Sequence, residues 1–322
     1  MAAVSHRCQD KVFPIFAAML KRRSCRLGLE KPFFHFLILF IFVSGILSAQ
    51  QFVVDSGYNS TPLNGNNLFP KWSPVGQQII YQSDRNGNWD IFLYDLQRDS
   101  TFQLTTSPYN EQHPEWSSDG KTIVFDSDQN NTTKLYVLDR TTGGEKLLFN
   151  RNIRCREAVF GQNDEIVFFS GYNNQEKKWG IYSYEFFYNN LNLLSDVHRF
   201  SRLSSVSPKG DDILFLASGS PGSKLTMEMI NWYGNVIKVF SDHNFVDPVF
   251  GVNGLKIYFV SAKDDKNGEV YSFWKDGSHL QRLTDDNYQV RCPALSPDGS
   301  KIALSVKIDG LFDIFIIPLD EF

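Results

Sequence analysis

The most constraining feature of this sequence is a repeat of about 45 residues. Six segments share a pattern in which a proline, a large apolar residue and a Ser-Pro or similar pair recur in order. Their starts are separated by 44, 43, 47, 44 and 45 residues. A period of this length is typical of chains built from repeated supersecondary units. The segments are Phe69–Pro74, His113–Ser118, Arg156–Gly161, Leu203–Pro208, Asp247–Val252 and Cys292–Pro297.

Each unit carries the signals of up to four short strands. The start leads to a turn such as Asp119-Gly120 or Asp298-Gly299, where glycine supplies the positive φ that a tight hairpin needs. An apolar strand follows, then a polar hairpin and a third strand. Most units close with a fourth strand, predicted at Phe102–Thr105, Lys146–Phe149, Val236–Val239 and Leu280–Leu283. This pattern predicts an all-β fold, a six-bladed β-propeller of four-stranded antiparallel blades.

The two ends of the repeat array indicate how the ring closes. The sixth unit stops at Phe322, just after its third strand, and the segment Gln51–Asp55 has the pattern of a strand ahead of the first unit. Pairing this N-terminal strand with the last blade would remove the exposed edges of an open array. We therefore expect residues 50–322 to form a single propeller.

The first 49 residues differ in kind from the rest. A basic stretch at Lys21–Arg26 precedes the apolar run Phe33–Leu47, and the small residues Ser48 and Ala49 follow it. This layout predicts a signal peptide over residues 1–49, cleaved after Ala49, because the run of about 15 residues is short for a membrane-spanning helix. Translation from Met19 would give the basic region ordinary proportions. The alternative is an uncleaved anchor that tethers the same domain outside the inner membrane.

Charge and cysteine content narrow the class of partner. The formal charge of the chain is −4, and loss of the first 49 residues leaves −9. An acidic domain without a Lys/Arg cluster is poorly suited to nucleic acid. Only Cys155 and Cys292 remain after cleavage, and their units lie on opposite sides of the predicted ring. We therefore expect two buried free thiols. We also expect the protein to be a monomer that has no membrane span after signal cleavage.

These units resemble the TolB-type (WD40-like) β-propeller repeat. Its pattern of proline, aromatic residue and Ser-Pro-Asp-Gly is nearly intact in Phe69–Gly76, which Ser83–Gly87 and Ile91-Phe92 follow, and again in Pro293–Gly299. The resemblance covers residues 51–322. It implies a periplasmic or secreted bacterial envelope protein that binds partners and has neither catalytic activity nor a cofactor. The same repeats also occur in prolyl-oligopeptidase-like enzymes, where an attached hydrolase domain does the chemistry.

Two central segments depart from the family pattern, and motifs for catalysis are few. Phe160–Asn163 lacks the Ser-Pro-Asp-Gly turn, and Ser218–Gly222 replaces the usual hairpin without forming a Gly-x-Ser-x-Gly nucleophile motif. Asp84–Asp90 alternates oxygen donors as a calcium loop does, but its glycine is fourth and no glutamate stands at position twelve. We interpret it as a hairpin turn and assign no metal ligand or catalytic residue.

The loops that join the blades indicate a binding site. In a propeller these loops open on one face around the central channel, which we call the mouth. Arginine forks suit carboxylates, so one interpretation is a site for an anionic terminus or acidic segment of a partner. The other is that each arginine pairs with a neighbour such as Glu157 or Asp247. The residues placed at the mouth are Glu111, His113, Arg154, Arg156, Arg202, Asp247 and Arg291.

Three functions are consistent with these features. The leading prediction is an exported, non-catalytic propeller that binds an envelope protein or peptide at the mouth. The alternative is a propeller enzyme, a polysaccharide lyase or hydrolase, in which His113, His198 and His243 surround a divalent ion. The third is a structural part of an envelope assembly with an inert channel. Histidines within metal-bridging distance would favour the enzyme, and scattered histidines together with a ring of arginines would favour binding.

Overall fold

The computed structural model describes residues 64–129, 131–196, 198–219, 223–285 and 288–319, without the side chain of Gln162. The predicted signal peptide, its cleavage site at Ala49 and the closing strand at Gln51–Asp55 lie outside these residues. No helix in the described part of the chain is long and apolar enough to cross a membrane.

The described residues form six antiparallel sheets that follow one another along the chain. Blade 1 contains β1 (Asn67–Trp72), β2 (Gln78–Ser83), β3 (Asp90–Asp95) and β4 (Ser100–Gln103). Blade 2 contains β5 (Glu111–Trp116), β6 (Thr122–Ser127), β7 (Lys134–Asp139) and β8 (Gly144–Leu147). Blade 3 contains β9 (Arg154–Phe160), β10 (Ile166–Asn173), β11 (Lys178–Glu185) and β12 (Asn190–Leu193), with a 3-10 helix at Gln162–Asp164.

The second half of the ring repeats the arrangement. Blade 4 contains β13 (Phe200–Val206), β14 (Asp212–Ser218), β15 (Thr226–Asn231) and β16 (Val236–Phe240). Blade 5 contains β17 (Val246–Phe250), β18 (Lys256–Ser261), β19 (Glu269–Trp274) and β20 (Gln281–Arg282). In blade 6 the described residues form three strands, which are β21 (Gln289–Leu295), β22 (Lys301–Ile308) and β23 (Leu311–Pro318). The predicted all-β, six-bladed propeller is confirmed.

Apolar packing between neighbouring blades closes the ring. Six buried clusters each combine side chains from two adjacent blades, and one of them joins blade 6 to blade 1. In that cluster Trp72 Nε1 donates a hydrogen bond to the carbonyl of Ala294 at 3.1 Å. Trp116 Nε1 donates to Lys71 in the same way, also at 3.1 Å. Trp72, Trp116 and Phe250 are buried, as expected for a wedge that every blade must fill.

The Ser-Pro-Asp-Gly motif forms the turn between the first and second strands of a blade. Ser296 Oγ accepts a hydrogen bond from the amide of Lys301 at 2.9 Å, and Gly299 has a φ of 73°. Blade 3 lacks the motif and turns through its 3-10 helix, where the Asp164 carboxylate accepts hydrogen bonds from the amide and hydroxyl of Ser118 in blade 2. These turns and those between third and fourth strands lie on the face opposite the mouth, which we call the turn face.

A bulge in the inner strand of each blade aims side chains at the channel. In β1 the pair Phe69 and Pro70 lies opposite the single residue Tyr81, and Phe69 has a φ of 55°. The bulge of blade 3 lies at Glu157, whose φ is also 55°. The gap-free alignment that placed Arg156 at this position is therefore wrong by one residue, because it followed apolar residues and not the 44-residue spacing from His113 to Glu157.

Candidate functional site

Side chains from all six blades line the central channel. The cavity left between them has a volume of about 50 Å³. That volume has room for water but not for a peptide or a sugar chain. The side chains around the axis follow one another at intervals of 44 or 45 residues and are those of Phe69, His113, Glu157, Arg202, Asp247 and Cys292.

An arginine bridges two carboxylates inside the channel. Arg202 Nε lies 2.7 Å from Glu157 Oε1, and Arg202 Nη1 lies 2.9 Å from Asp247 Oδ1. Burial disfavours the charged guanidinium, but Glu157 and then Asp247 outweigh that effect, so the pKa of Arg202 lies above its ordinary value. Arg202 therefore pairs with neighbours, as one of the two interpretations expected, and two carboxylates share this one cation.

Polar contacts also hold the other channel residues. His113 Nδ1 lies 2.9 Å from Asp126 Oδ1, and its ring meets Phe69 edge-on with centroids 4.5 Å apart. The amide of Cys292 donates to Asp247 Oδ2 at 3.0 Å. Burial, and then the Asp247 charge, raise the pKa of the Cys292 thiol well above its ordinary value. Cys155 is likewise free and buried, so neither thiol is activated as a nucleophile.

Glu111 lies apart from the channel, buried between blades 1 and 2. It accepts a hydrogen bond from the Ser107 hydroxyl and has no exposed surface. Burial, and then the charge of Glu111, raise the pKa of neighbouring Asp90 to about 6. Asp90 itself accepts hydrogen bonds from Asn88 and Gln103. These carboxylates form an inter-blade contact and do not line the mouth.

Two arginines of blade 3 are held by aromatic rings on the mouth face. Arg154 lies over Tyr172, with its guanidinium carbon 4.0 Å from the ring centroid. Arg156 lies 4.2 Å from the centroid of Trp179, and Arg154 lies 5.8 Å from the same centroid. Arg156 Nε also lies 3.9 Å from Glu157 Oε2. Arg154 is exposed and makes no hydrogen bond or ion pair with any described residue. We call this set the blade-3 stack, and it consists of Tyr172, Arg154, Trp179, Arg156 and Phe200.

The seven predicted mouth residues thus fall into separate groups. His113, Arg202 and Asp247 meet in the channel, while Arg154 and Arg156 belong to the blade-3 stack. The other two lie elsewhere, with Glu111 between blades 1 and 2 and Arg291 half-buried on β21. Sequence reasoning named Glu157 only as a partner for arginine and missed it as a channel residue. Its 44-residue spacing from His113 was the available signal.

The histidines considered for a metal site have separate surroundings. His113 contacts Asp126 in blade 2, whereas His243 packs on Phe245 and Phe259 in blade 5. The backbone of His198 forms an isolated bridge with Trp179. Among the described residues, no group of three or more His, Cys, Asp or Glu side chains is arranged to hold a metal ion.

A family model and a curated relative that match this chain are both of the TolB type. A family model described as the TolB beta propeller domain matches residues 47–239. A protein named TolB homolog from Chlorobium luteolum is 34% identical over 166 residues, which cover 51% of this chain and 36% of that protein. The match therefore spans about a third of the length of this curated relative.

Solved structures share the fold at low sequence identity. TolB from Acinetobacter baumannii superposes with a TM-score of 0.65 at 23% identity, over 73% of this chain and 58% of that chain. An oligogalacturonate lyase from Vibrio parahaemolyticus superposes with a TM-score of 0.58 at 11% identity, over 83% of this chain and 95% of that chain. Similarity at these levels concerns the architecture alone.

Proposed function

Since this chain belongs to the TolB-type β-propeller family, we propose that it is an exported, non-catalytic binding module of the bacterial cell envelope. It captures an acidic segment of a protein partner on its mouth face. The observation that carries the proposal is the blade-3 stack, in which two guanidinium groups are fixed by aromatic rings and Arg154 has no carboxylate partner among the described residues.

The chemistry of the stack suits a carboxylate ligand. Stacking on a ring occupies the flat face of a guanidinium and leaves its N–H groups free to form paired hydrogen bonds with an anion. Because Tyr172 and Trp179 already hold Arg154, binding would cost little additional side-chain entropy. Arg202 is not suited to this part, since its Nε and Nη1 already donate to Glu157 and Asp247 inside the channel.

The shape of the channel supports binding on the surface of the mouth. A cavity of about 50 Å³ has no room for a peptide, so a partner would lie across the mouth face rather than thread the ring. The lyase or hydrolase alternative needs a substrate near the channel and histidines grouped around an ion. The narrow cavity and the separate surroundings of His113, His198 and His243 support the binding proposal instead.

The proposal also rests on the predicted export signal and on the acidic net charge of the domain. After cleavage at Ala49 the propeller would act as a monomer in the periplasm or outside the cell, with a net charge of −9. In such an acidic domain a pair of guanidinium groups on one blade is a distinct local feature.

The test is affinity capture from an envelope extract with the purified protein, followed by mass spectrometry. We expect one dominant protein to be recovered by the wild type and lost with R154A/R156A. R98A is the matched control, because Arg98 is an exposed arginine whose side chain pairs with Asp95 on the turn face. R154K keeps the charge but loses the fork, so it should recover only part of the binding. Unchanged capture by a folded R154A/R156A protein would refute the proposal.

A further inference from the structure

Exposed aromatic residues are concentrated on the turn face of two adjacent blades. Phe187 and Tyr188 stand in the turn between β11 and β12, with 88% and 72% of their surface exposed. Trp232 and Tyr233 stand in the equivalent turn between β15 and β16, exposed by 48% and 70%. The equivalent turns of blades 1, 2 and 5 are polar, with the sequences Leu-Gln-Arg-Asp at 96–99, Arg-Thr-Thr-Gly at 140–143 and Lys-Asp-Gly-Ser at 275–278. Four aromatic residues in these positions are therefore a local feature and not a property of the repeat.

A groove lies between these two turns. Its volume is about 430 Å³, and we call it the turn-face groove. It is lined by aromatic side chains, by carboxylates and by Lys209. The residues that the argument uses are Glu165, Glu185, Phe187, Tyr188, Asp211 and Trp232.

Both aromatic turns are held in place by polar contacts. Arg151 Nη2 donates to the carbonyl and to the side-chain oxygen of Asn189, each at 3.2 Å, next to Tyr188. In the other turn, Gly234 has a φ of 88° and packs so closely on blade 3 that an added Cβ would lie 2.3 Å from the Leu194 carbonyl oxygen. The rings are thus presented on fixed backbones, which lowers the entropy lost when a ligand binds.

The carboxylates in the groove retain free acceptor oxygens. Asp211 Oδ1 accepts from the Ser207 hydroxyl at 2.6 Å, and Glu185 Oε1 accepts from Asn192 Nδ2 at 3.1 Å. The second oxygen of each carboxylate, and both oxygens of exposed Glu165, form no hydrogen bond with a described residue. The groove therefore combines exposed ring faces with hydrogen-bond acceptors that a ligand can use.

We propose that the turn-face groove binds an extended, uncharged oligosaccharide. Sugar rings present apolar C–H faces that pack on aromatic rings, and hydroxyl groups that donate to carboxylates. Three carboxylates against one ammonium group make an acidic glycan or an anionic membrane a poor fit. Asn163 lines both this groove and a second one of about 720 Å³ between blades 2 and 3, so a chain of several sugar units is a better match than a single sugar.

This site lies on the face opposite the blade-3 stack and does not depend on the function proposed for the mouth. The test titrates the purified protein with cellohexaose, chitohexaose, maltohexaose and, as the acidic comparison, hexagalacturonate. Binding is followed by calorimetry and by tryptophan fluorescence, to which Trp232 contributes from the groove. We expect at least one neutral hexasaccharide to bind more tightly than its disaccharide, and hexagalacturonate to bind at least tenfold more weakly.

Variants assign the binding to the groove. F187A and W232A should each lower the affinity at least tenfold, while the melting temperature stays close to that of the wild type because both side chains are exposed. V75A is the matched control, since Val75 is 74% exposed on the turn face of blade 1. R154A/R156A should bind the sugar normally even if it loses its protein partner.

Three results would overturn the inference. The first is that none of the neutral hexasaccharides binds at 10 mM, a concentration on the order of the weakest useful affinities. The second is binding that F187A and W232A leave unchanged. The third is a protein from the envelope extract that the wild type and V75A capture and W232A does not, which would assign the aromatic turns to a protein interface.

Discussion

Replacing Arg202 with methionine tests how much its two ion pairs inside the channel stabilise the folded ring. The guanidinium lies 2.7 Å from Glu157 Oε1 and 2.9 Å from Asp247 Oδ1. Side-chain exposure is 21% for Arg202, 9% for Glu157 and 7% for Asp247. Methionine is of similar length but uncharged, so the variant leaves Asp247 without its cation and Glu157 with only the more distant Arg156, whose Nε lies 3.9 Å from Glu157 Oε2.

The expected loss follows from the burial of the two carboxylates. Removing one partner of a buried ion pair costs about 3–5 kcal/mol. His113 Nε2 lies 3.8 Å from Glu157 Oε1, and Arg202 is partly exposed. Both features lessen the cost, so we expect a loss of stability near the lower end of this range, about 3 kcal/mol at pH 8. For a large domain this corresponds to a fall in melting temperature of roughly 6–12 °C.

Urea unfolding followed by tryptophan fluorescence at pH 8 measures this loss. R202M/E157Q/D247N should regain most of the lost stability, because no uncompensated charge remains in the channel. R98M is the matched control and should cost less than about 0.5 kcal/mol, since the Arg98 side chain is 71% exposed. A loss below about 1 kcal/mol for R202M at pH 8, or a triple variant no more stable than R202M, would refute this reasoning.

Three further predictions concern other parts of the ring. Because burial and then a neighbouring carboxylate raise the pKa of Asp90 from 3.8 to about 6, the stability that its protonated form contributes is lost as the pH rises from 4 to 6, so D90N should gain up to about 3 kcal/mol relative to wild type over that range in urea unfolding. G234A should lower the melting temperature far more than G87A, since both glycines have positive φ but only Gly234 packs against a neighbouring backbone; equal shifts would contradict this. Cys155 and Cys292 should react with a thiol reagent only after unfolding, measured by mass spectrometry, because both are buried and free; rapid labelling of the native protein would argue against it.

The fold could be predicted because its signals are local. The turn at Ser296–Gly299 needs only a hydroxyl to accept one amide and a glycine with positive φ, and both are visible in a stretch of six residues. Alternation along each strand and a period of about 45 residues then fix the number of blades. The predicted fourth strand at Phe102–Thr105 is observed at Ser100–Gln103, a shift at the unpaired outer edge, where packing sets the boundary weakly.

The channel could be predicted only in part because a bulge decides where side chains point. A shift of one residue exchanges a channel position for a packing position, and in blade 3 it puts Glu157 in place of Arg156 at the axis. The 44-residue spacing from His113 to Glu157 was visible, but it competed with an alignment based on apolar residues. The pairing of Arg202 with two carboxylates depends on the closed ring, which brings side chains of blades 3, 4 and 5 together.

The all-β class and the six blades could be read from the amino-acid sequence, since each follows from short-range patterns repeated along the chain. Which arginines are paired with carboxylates is visible only in the folded ring. Arg202 and Arg154 look alike in the sequence, yet one lies between two carboxylates and the other is stacked on Tyr172 without an ion pair. The reason is geometric: these contacts join different strands and blades, and their directions depend on bulges and ring closure that no single repeat contains.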